Sequence, residues 1–267
     1  MTSRSSLERI ARAALLISAA LGLADCASTS GSGTDGAEKT TQAALAEAQV
    51  QPAIRLARAA RAAGDFASAA NLYRSVIAVR GDDPMLTVEL GDTLLDAGSF
   101  DNAIEAYGKA ENHAPAKLGS LLGLTRAHLA LREPAKALDC ADRAVGIAPS
   151  DERALAGRGV ALDMLGRHEE AQMSYRAALA ASPYSVAARN DLALSLALTG
   201  QFSEAVDILT PIAKSTTATP RVRQNLALIY GLMGDSSRAA EVSRADLDAA
   251  ATDSNLRFFE FVRGGTP

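Results

Sequence analysis

Six alanines recur at a spacing of 34 residues without a slip: Ala69, Ala103, Ala137, Ala171, Ala205 and Ala239. Five residues before each stands Gly64, Gly98, Arg132, Gly166, Gly200 or Gly234. The chain has only 20 glycines in 267 residues, so their coincidence with the alanine series fixes a single register. A unit this short cannot bury an apolar face alone. Units repeated at a fixed period therefore stack, each covering its neighbour, and build surfaces more readily than reaction chambers.

Starting the frame at Val50 gives six units, 50–83, 84–117, 118–151, 152–185, 186–219 and 220–253. In the first helix of each, the seventh position reads Leu56, Leu90, Leu124, Arg158, Leu192 and Leu226. Four residues on come Ala60, Leu94, His128, Leu162, Leu196 and Tyr230, on the same inward helical face. Turns follow at Gly64-Asp65-Phe66, Gly98-Ser99-Phe100 and Gly200-Gln201-Phe202, where glycine takes positive φ and the aromatic packs back. The alanine series opens the second helix and lets it cross its partner closely. Tyr73, Tyr107 and Tyr175 then fill the gap to the next unit, with Ala141, Leu209 and Ser243 in the other frames. Pro115, Pro149 and Pro183 are expected to stop second helices.

The spacing is that of the tetratricopeptide repeat. It predicts an all-α solenoid of about six helix–turn–helix units plus a C-terminal capping helix over 254–267. Two frames are irregular. Arg132-Glu133-Pro134 is expected to turn by proline geometry, and Arg158 to reach solvent or pair with Asp163 or Asp142. The cap is expected to open at Asp253-Ser254 and to carry Leu256, Phe259 and Val262 on one face. The alternative for Phe258, Phe259 and Phe261 is an exposed docking patch.

Nearly half the residues are apolar, but aromatics are 4% and Trp is absent, so close packing rests on Ala and Leu. Net charge is −4 with both signs mixed along the chain, and no basic stripe suits nucleic acid. The start differs in kind. Arg4, Arg9 and Arg12 precede an apolar run from Ala13 to Ala24, well short of the ~20 residues of a bilayer span, which reads as a signal peptide over 1–25. Leu23-Ala24-Asp25-Cys26 resembles a bacterial lipobox, with Asp25 in place of the usual small residue. Lipid attachment at Cys26 is the expectation, with ordinary cleavage or retention of the segment as alternatives. Residues 26–49 read as a tether, Ser/Thr/Gly-rich from Ser28 to Gly36. The other cysteine, Cys140, is expected to be a core residue.

Chemistry is hard to place on this chain. His113, His128 and His168 stand outside any metal or nucleophile motif, and no phosphate loop occurs. His128 and Cys140 share a repeat but lack an orienting third group, so neither enzyme activity nor a cofactor or metal is expected. What remains is the groove lined by the first helices. Its ninth positions run Arg58, Asp92, Arg126, Val160, Leu194 and Leu228, charged at one end and apolar at the other. Met85, Val88, Leu122, Leu129, Arg153, Asn190, Arg221 and Gln224 are further candidates, some of which would only complete packing between repeats. Such a trough suits an extended peptide or amphipathic helix. A chaperone-type carboxylate clamp is absent, since Ile54 and Arg58 occupy its places.

Several segments together are more specific. They are the run Gly159 to Ala171, the block Thr219-Pro220-Arg221-Val222-Arg223-Gln224-Asn225-Leu226-Ala227-Leu228 reaching Gly234-Asp235, and the close Asn255-Leu256-Arg257-Phe258-Phe259. With Cys26, the chain resembles the TadD family, tetratricopeptide lipoproteins of tight-adherence (Flp) pilus assembly. The resemblance implies an outer-membrane lipoprotein facing the periplasm, with a soluble periplasmic protein as the alternative. It implies protein partners such as the pilus secretin or associated assembly components, membrane attachment through the lipid, and no catalytic residues. The alternative function is a generic periplasmic adaptor for another envelope complex, such as a lipoprotein-insertion or cell-wall machine.

Overall fold

Thirteen helices and no strand occupy the described residues, 34–81 and 83–264 of a computed structural model, with side chains described from residue 48. They are α1 (Thr34–Ala62), α2 (Phe66–Arg80), α3 (Pro84–Asp96), α4 (Phe100–Glu111), α5 (Ala114–Ala130), α6 (Pro134–Ile147) and α7 (Glu152–Met164). Then come α8 (His168–Ala181), α9 (Val186–Leu198), α10 (Phe202–Ala213), α11 (Pro220–Met233), α12 (Ser236–Ser243) and α13 (Ala249–Val262). The chain divides between Ala48 and Gln49 into two units. The expected signal segment and Cys26 lie outside the described residues. In the first unit α1 already runs from Thr34, so residues 34–49, read as tether, are helical. The cause is local: Ala, Glu, Lys and Gln, all strong helix formers, dominate 37–48.

In the second unit, one turn chemistry is used six times. Gly64, Gly98, Gly166, Gly200 and Gly234 have φ between 74 and 88°. The N–H of the residue after each donates to the carbonyl five back, as in Ser99 to Leu94 at 2.8 Å and Arg167 to Leu162 at 2.9 Å. Orphan carbonyls at the helix end are satisfied in this way. The third frame was expected to turn differently and does not. Arg132 adopts φ 58° and Glu133 N–H donates to His128 O at 2.8 Å, the same turn without glycine. Pro134 starts α6, where its missing N–H costs nothing. Pro115 likewise lies in the first turn of α5 instead of ending α4, so that repeat begins four residues before its frame. Pro149 and Pro183 fall in the loops after α6 and α8.

The alanine series is fully buried, every member at 0% exposure, which is what a close crossing requires. Tyr73, Tyr107 and Tyr175 are buried too. Tyr107 shows why small residues face it: a Cβ added at Gly91 would lie 2.6 Å from its ring, and one at Gly123 on α5 would collide with the same ring. The side chain is therefore gripped between α3 and α5. Successive first helices α3, α5, α7, α9 and α11 pack directly on one another, α2 packs on α3, and from α4 on each second helix packs on its own partner and on the helix that follows. The first helices thus line the inner face.

The stack closes with α13. Asp248 accepts from Ala251 N–H at 2.8 Å, which starts this helix five residues before the expected Asp253-Ser254. Phe259 is buried against Gly231 and Leu256 is partly buried, but Val262 is half exposed. At that turn it is Arg263 that reaches back to Gly234, so Val262 points away from the stack.

Candidate partner-binding groove

The inner face begins as a lattice of ion pairs between neighbouring first helices. Arg58 Nε donates to Glu89 Oε2 at 2.8 Å, and Arg61 Nε to Asp96 Oδ2 at 2.8 Å. Arg126, one repeat further, lies 3.6 Å from both Asp92 and Asp96. Tyrosines of the second helices reach through the layer to the same acids. Tyr73 OH donates to Glu89 and Tyr107 OH to Asp92, each at 2.7 Å. Burial pushes the Glu89 carboxyl up, but hydrogen bonds from Arg58 and Tyr73 outweigh this and hold it below the usual range.

The middle of the groove is centred on Asp163. It accepts from Tyr175 OH at 3.0 Å and Ser195 Oγ at 2.8 Å, and His168 Nδ1 lies 2.9 Å away. Next to it, burial raises the Asp191 carboxyl, against the lowering influence of Asn190 and Arg221. Further on, amides replace ions. Asn225 Nδ2 donates to Asn190 Oδ1 at 2.7 Å, and Asn255 Nδ2 to Gln224 Oε1 at 3.2 Å. The ninth frame positions of these helices are apolar. Val160, Leu194 and Leu228 are half-buried, and one turn later Met164 and Leu198 are exposed.

The expected groove residues separate into four groups. Arg58, Asp92 and Arg126 belong to one ion lattice, while Val160, Leu194 and Leu228 form one strip. Leu122 and Asn190 are buried between helices and serve packing, and Gln224 is engaged by Asn255. Met85 is exposed on the first turn of α3, and Arg153 is exposed and paired with Asp151 of its own helix cap at 2.8 Å. Sequence reasoning missed Arg61, Glu89, Asp96, Asp163, Asp191, Met164 and Leu198. Three of these, Asp96, Met164 and Leu198, stand four residues after a ninth position, so the helical period could have found them.

Elsewhere the polar exceptions find partners. Arg158 Nε donates to Asp142 at 2.6 Å and its Nη1 to Ser174 Oγ at 2.8 Å, so Asp142 and not Asp163 is its acid. His128 Nδ1 lies 2.7 Å from Glu133. Burial pushes the Cys140 thiol up to about 11, which keeps it protonated and a poor nucleophile at neutral pH.

Comparison with known proteins agrees with this architecture. Signatures described as tetratricopeptide repeat match residues 54–116, 94–159 and 164–229. The uncharacterized protein y4yS of Sinorhizobium fredii (strain NBRC 101917 / NGR234) is 32% identical over 138 residues, covering 46% of this chain and 76% of that protein. Tetratricopeptide repeat protein 7B of Homo sapiens is 28% identical over 131 residues, 49% of this chain but 16% of its own length. Among solved structures, a tetratricopeptide repeat protein from Parabacteroides merdae ATCC 43184 superposes with a TM-score of 0.65 at 20% identity, covering 80% of this chain and 87% of that one. MamA (41-end) from Desulfovibrio magneticus RS-1 superposes with a TM-score of 0.54 at 17% identity, covering 61% and 92%. At such identities the two structures speak to fold alone.

Proposed function

The chain belongs to the tetratricopeptide repeat family, and on that premise we propose that it is a non-enzymatic scaffold whose inner groove holds a segment of a partner protein. One observation carries the reading. Val160, Leu194 and Leu228 line up at a single frame position on adjacent helices, with Met164 and Leu198 exposed beside them. Apolar side chains left partly exposed in a row, next to a polar lattice already fixed by its own contacts, are what a docking strip needs. Recovery of partners from envelope extracts, compared between wild type and an Arg126→Glu/Leu194→Asp variant, tests it. Loss of partners in the variant is expected, and equal recovery would overturn the groove assignment.

Its place in the cell is the finer part of the proposal. The Thr219–Leu228 block, the Phe-rich close and Cys26 after an apolar run support an outer-membrane lipoprotein assisting tight-adherence (Flp) pilus assembly, with secretin or associated components as partners. Mass spectrometry of the mature N-terminus decides the anchor. A diacylglyceryl-modified Cys26 is the expected result, and an unmodified terminus would remove the lipoprotein reading. Co-purification of secretin or pilus components, lost in the groove variant, is expected. Recovery of a lipoprotein-insertion or cell-wall machine instead would favour the generic adaptor.

A further inference from the structure

The groove is layered by charge. Side chains of Glu89, Asp92, Asp96, Asp163 and Asp191 are only 15–30% exposed, and Arg61 lies among them. Those of Arg58, Arg126, Arg153 and Arg221 are 54–77% exposed. The acids sit below because they are held there: Glu89 by Tyr73 and Arg58, Asp92 by Tyr107, Asp163 by Tyr175 and Ser195. Asp191 is held by Asn190. Two of the outer arginines are loosely engaged. Arg126 lies 3.6 Å from its acids and Arg221 lies 3.9 Å from Asp191, beyond hydrogen-bond length. Arg153 binds Asp151, the capping acid at the start of its own helix, and remains the second most exposed of the four.

An approaching molecule therefore meets guanidinium groups and an apolar strip, although the chain as a whole carries −4. Guanidinium offers five donors in a planar fork that fits carboxylate. We infer that the groove selects an acidic amphipathic protein segment, its apolar side chains on Val160, Leu194, Leu198 and Leu228 and its carboxylates on Arg126, Arg153 and Arg221. This rests on the docking role proposed for the groove and adds the partner's charge to it. A purely anionic ligand would leave the strip uncovered, and a basic segment would face like charge.

The test uses the full chain and three synthetic helical peptides with identical leucine spacing, flanked by Glu, Gln or Lys. Binding is read by fluorescence anisotropy. The Glu peptide is expected to bind about tenfold or more tighter than the Lys peptide. The order should reverse on an Arg153→Glu/Arg221→Glu chain, and the neutral Leu198→Ser should weaken all three. Leu198 is well exposed, so that variant keeps the fold, and a melting curve checks it. Equal binding of the three peptides, weakened by Leu198→Ser, overturns the charge selection and leaves the groove standing. No binding of the Glu peptide overturns the selection as well. The docking role itself fails only if, in addition, partner recovery from extracts is unchanged by Arg126→Glu/Leu194→Asp.

Discussion

Arg132 is the residue most at odds with its own backbone. It holds φ 58° where the five equivalent positions have glycine, and its side chain is exposed. A non-glycine residue there costs about 1–3 kcal/mol, part of which returns as a smaller loss of chain entropy than glycine suffers. Arg132→Gly is expected to stabilise the fold by about 1 kcal/mol, read as a higher melting temperature. A lower one would mean that the arginine makes contacts worth more than the strain. Asp191 is the second such residue. Burial favours its neutral form, Asp163 nearby adds to this, and Asn190 and Arg221 act against it. The folded state therefore binds this proton more tightly than the unfolded chain. That contribution to stability is complete below the ordinary carboxylate value of about 4 and is lost as pH rises through the raised one. Asp191→Asn keeps an acceptor for Asn190, so it is expected to melt higher than wild type at pH 7, with the gap closing at pH 4. A gap independent of pH would rule out titration of this carboxyl as the cause.

Helices here are decided partly by the period and partly by features outside it. Gly108 and Gly123 show the difference between a helical glycine and a packing glycine. Around Gly108 on α4 a Cβ would meet nothing within 4 Å, whereas at Gly123 on α5 it would strike the Tyr107 ring. Gly108→Ala is expected to stabilise by about 1 kcal/mol through helix propensity. Gly123→Ala should destabilise by about 1–3 kcal/mol through overpacking. Denaturant midpoints that move in the same direction would refute the gripping of Tyr107. The alanine crossing, the glycine turns and the tyrosine plugs were all legible because the period names their positions. The starts of α1, α5 and α13 were not, since a cap such as Asp248 or a run of helix formers acts locally and ignores the frame. The acidic floor of the groove was hidden for another reason. Its contacts between first helices join residues 30–35 apart, as in Arg126 to Asp96 and Arg61 to Asp96, and which of those offsets meet depends on how neighbouring helices tilt.

At the scale of the stack, stability is a sum of unit terms and nearest-neighbour interfaces, so its two ends can respond differently to one condition. The inner interfaces among α1, α3 and α5 are ionic, through Arg58, Arg61 and Arg126 with Glu89, Asp92 and Asp96. Those among α9, α11 and α13 are mainly amide and apolar, through Asn190, Asn225, Gln224 and Asn255 with Phe259 over Gly231, and their one ion pair, Arg221 to Asp191, is long at 3.9 Å. Salt shortens the screening length from about 10 Å at 0.1 M to about 3 Å at 1 M, which weakens partly exposed ion pairs and leaves neutral hydrogen bonds in place. Each such pair is worth no more than about 1 kcal/mol, but a connected lattice loses several together. Amide hydrogen exchange is therefore expected to quicken in α3 and α5 as salt rises, with little change in α9 and α11. A uniform response along the stack would show that the ionic lattice does not hold its end of the groove together. In that case the arginines would serve the partner alone, and the layering of charge would be a property of recognition without one of stability.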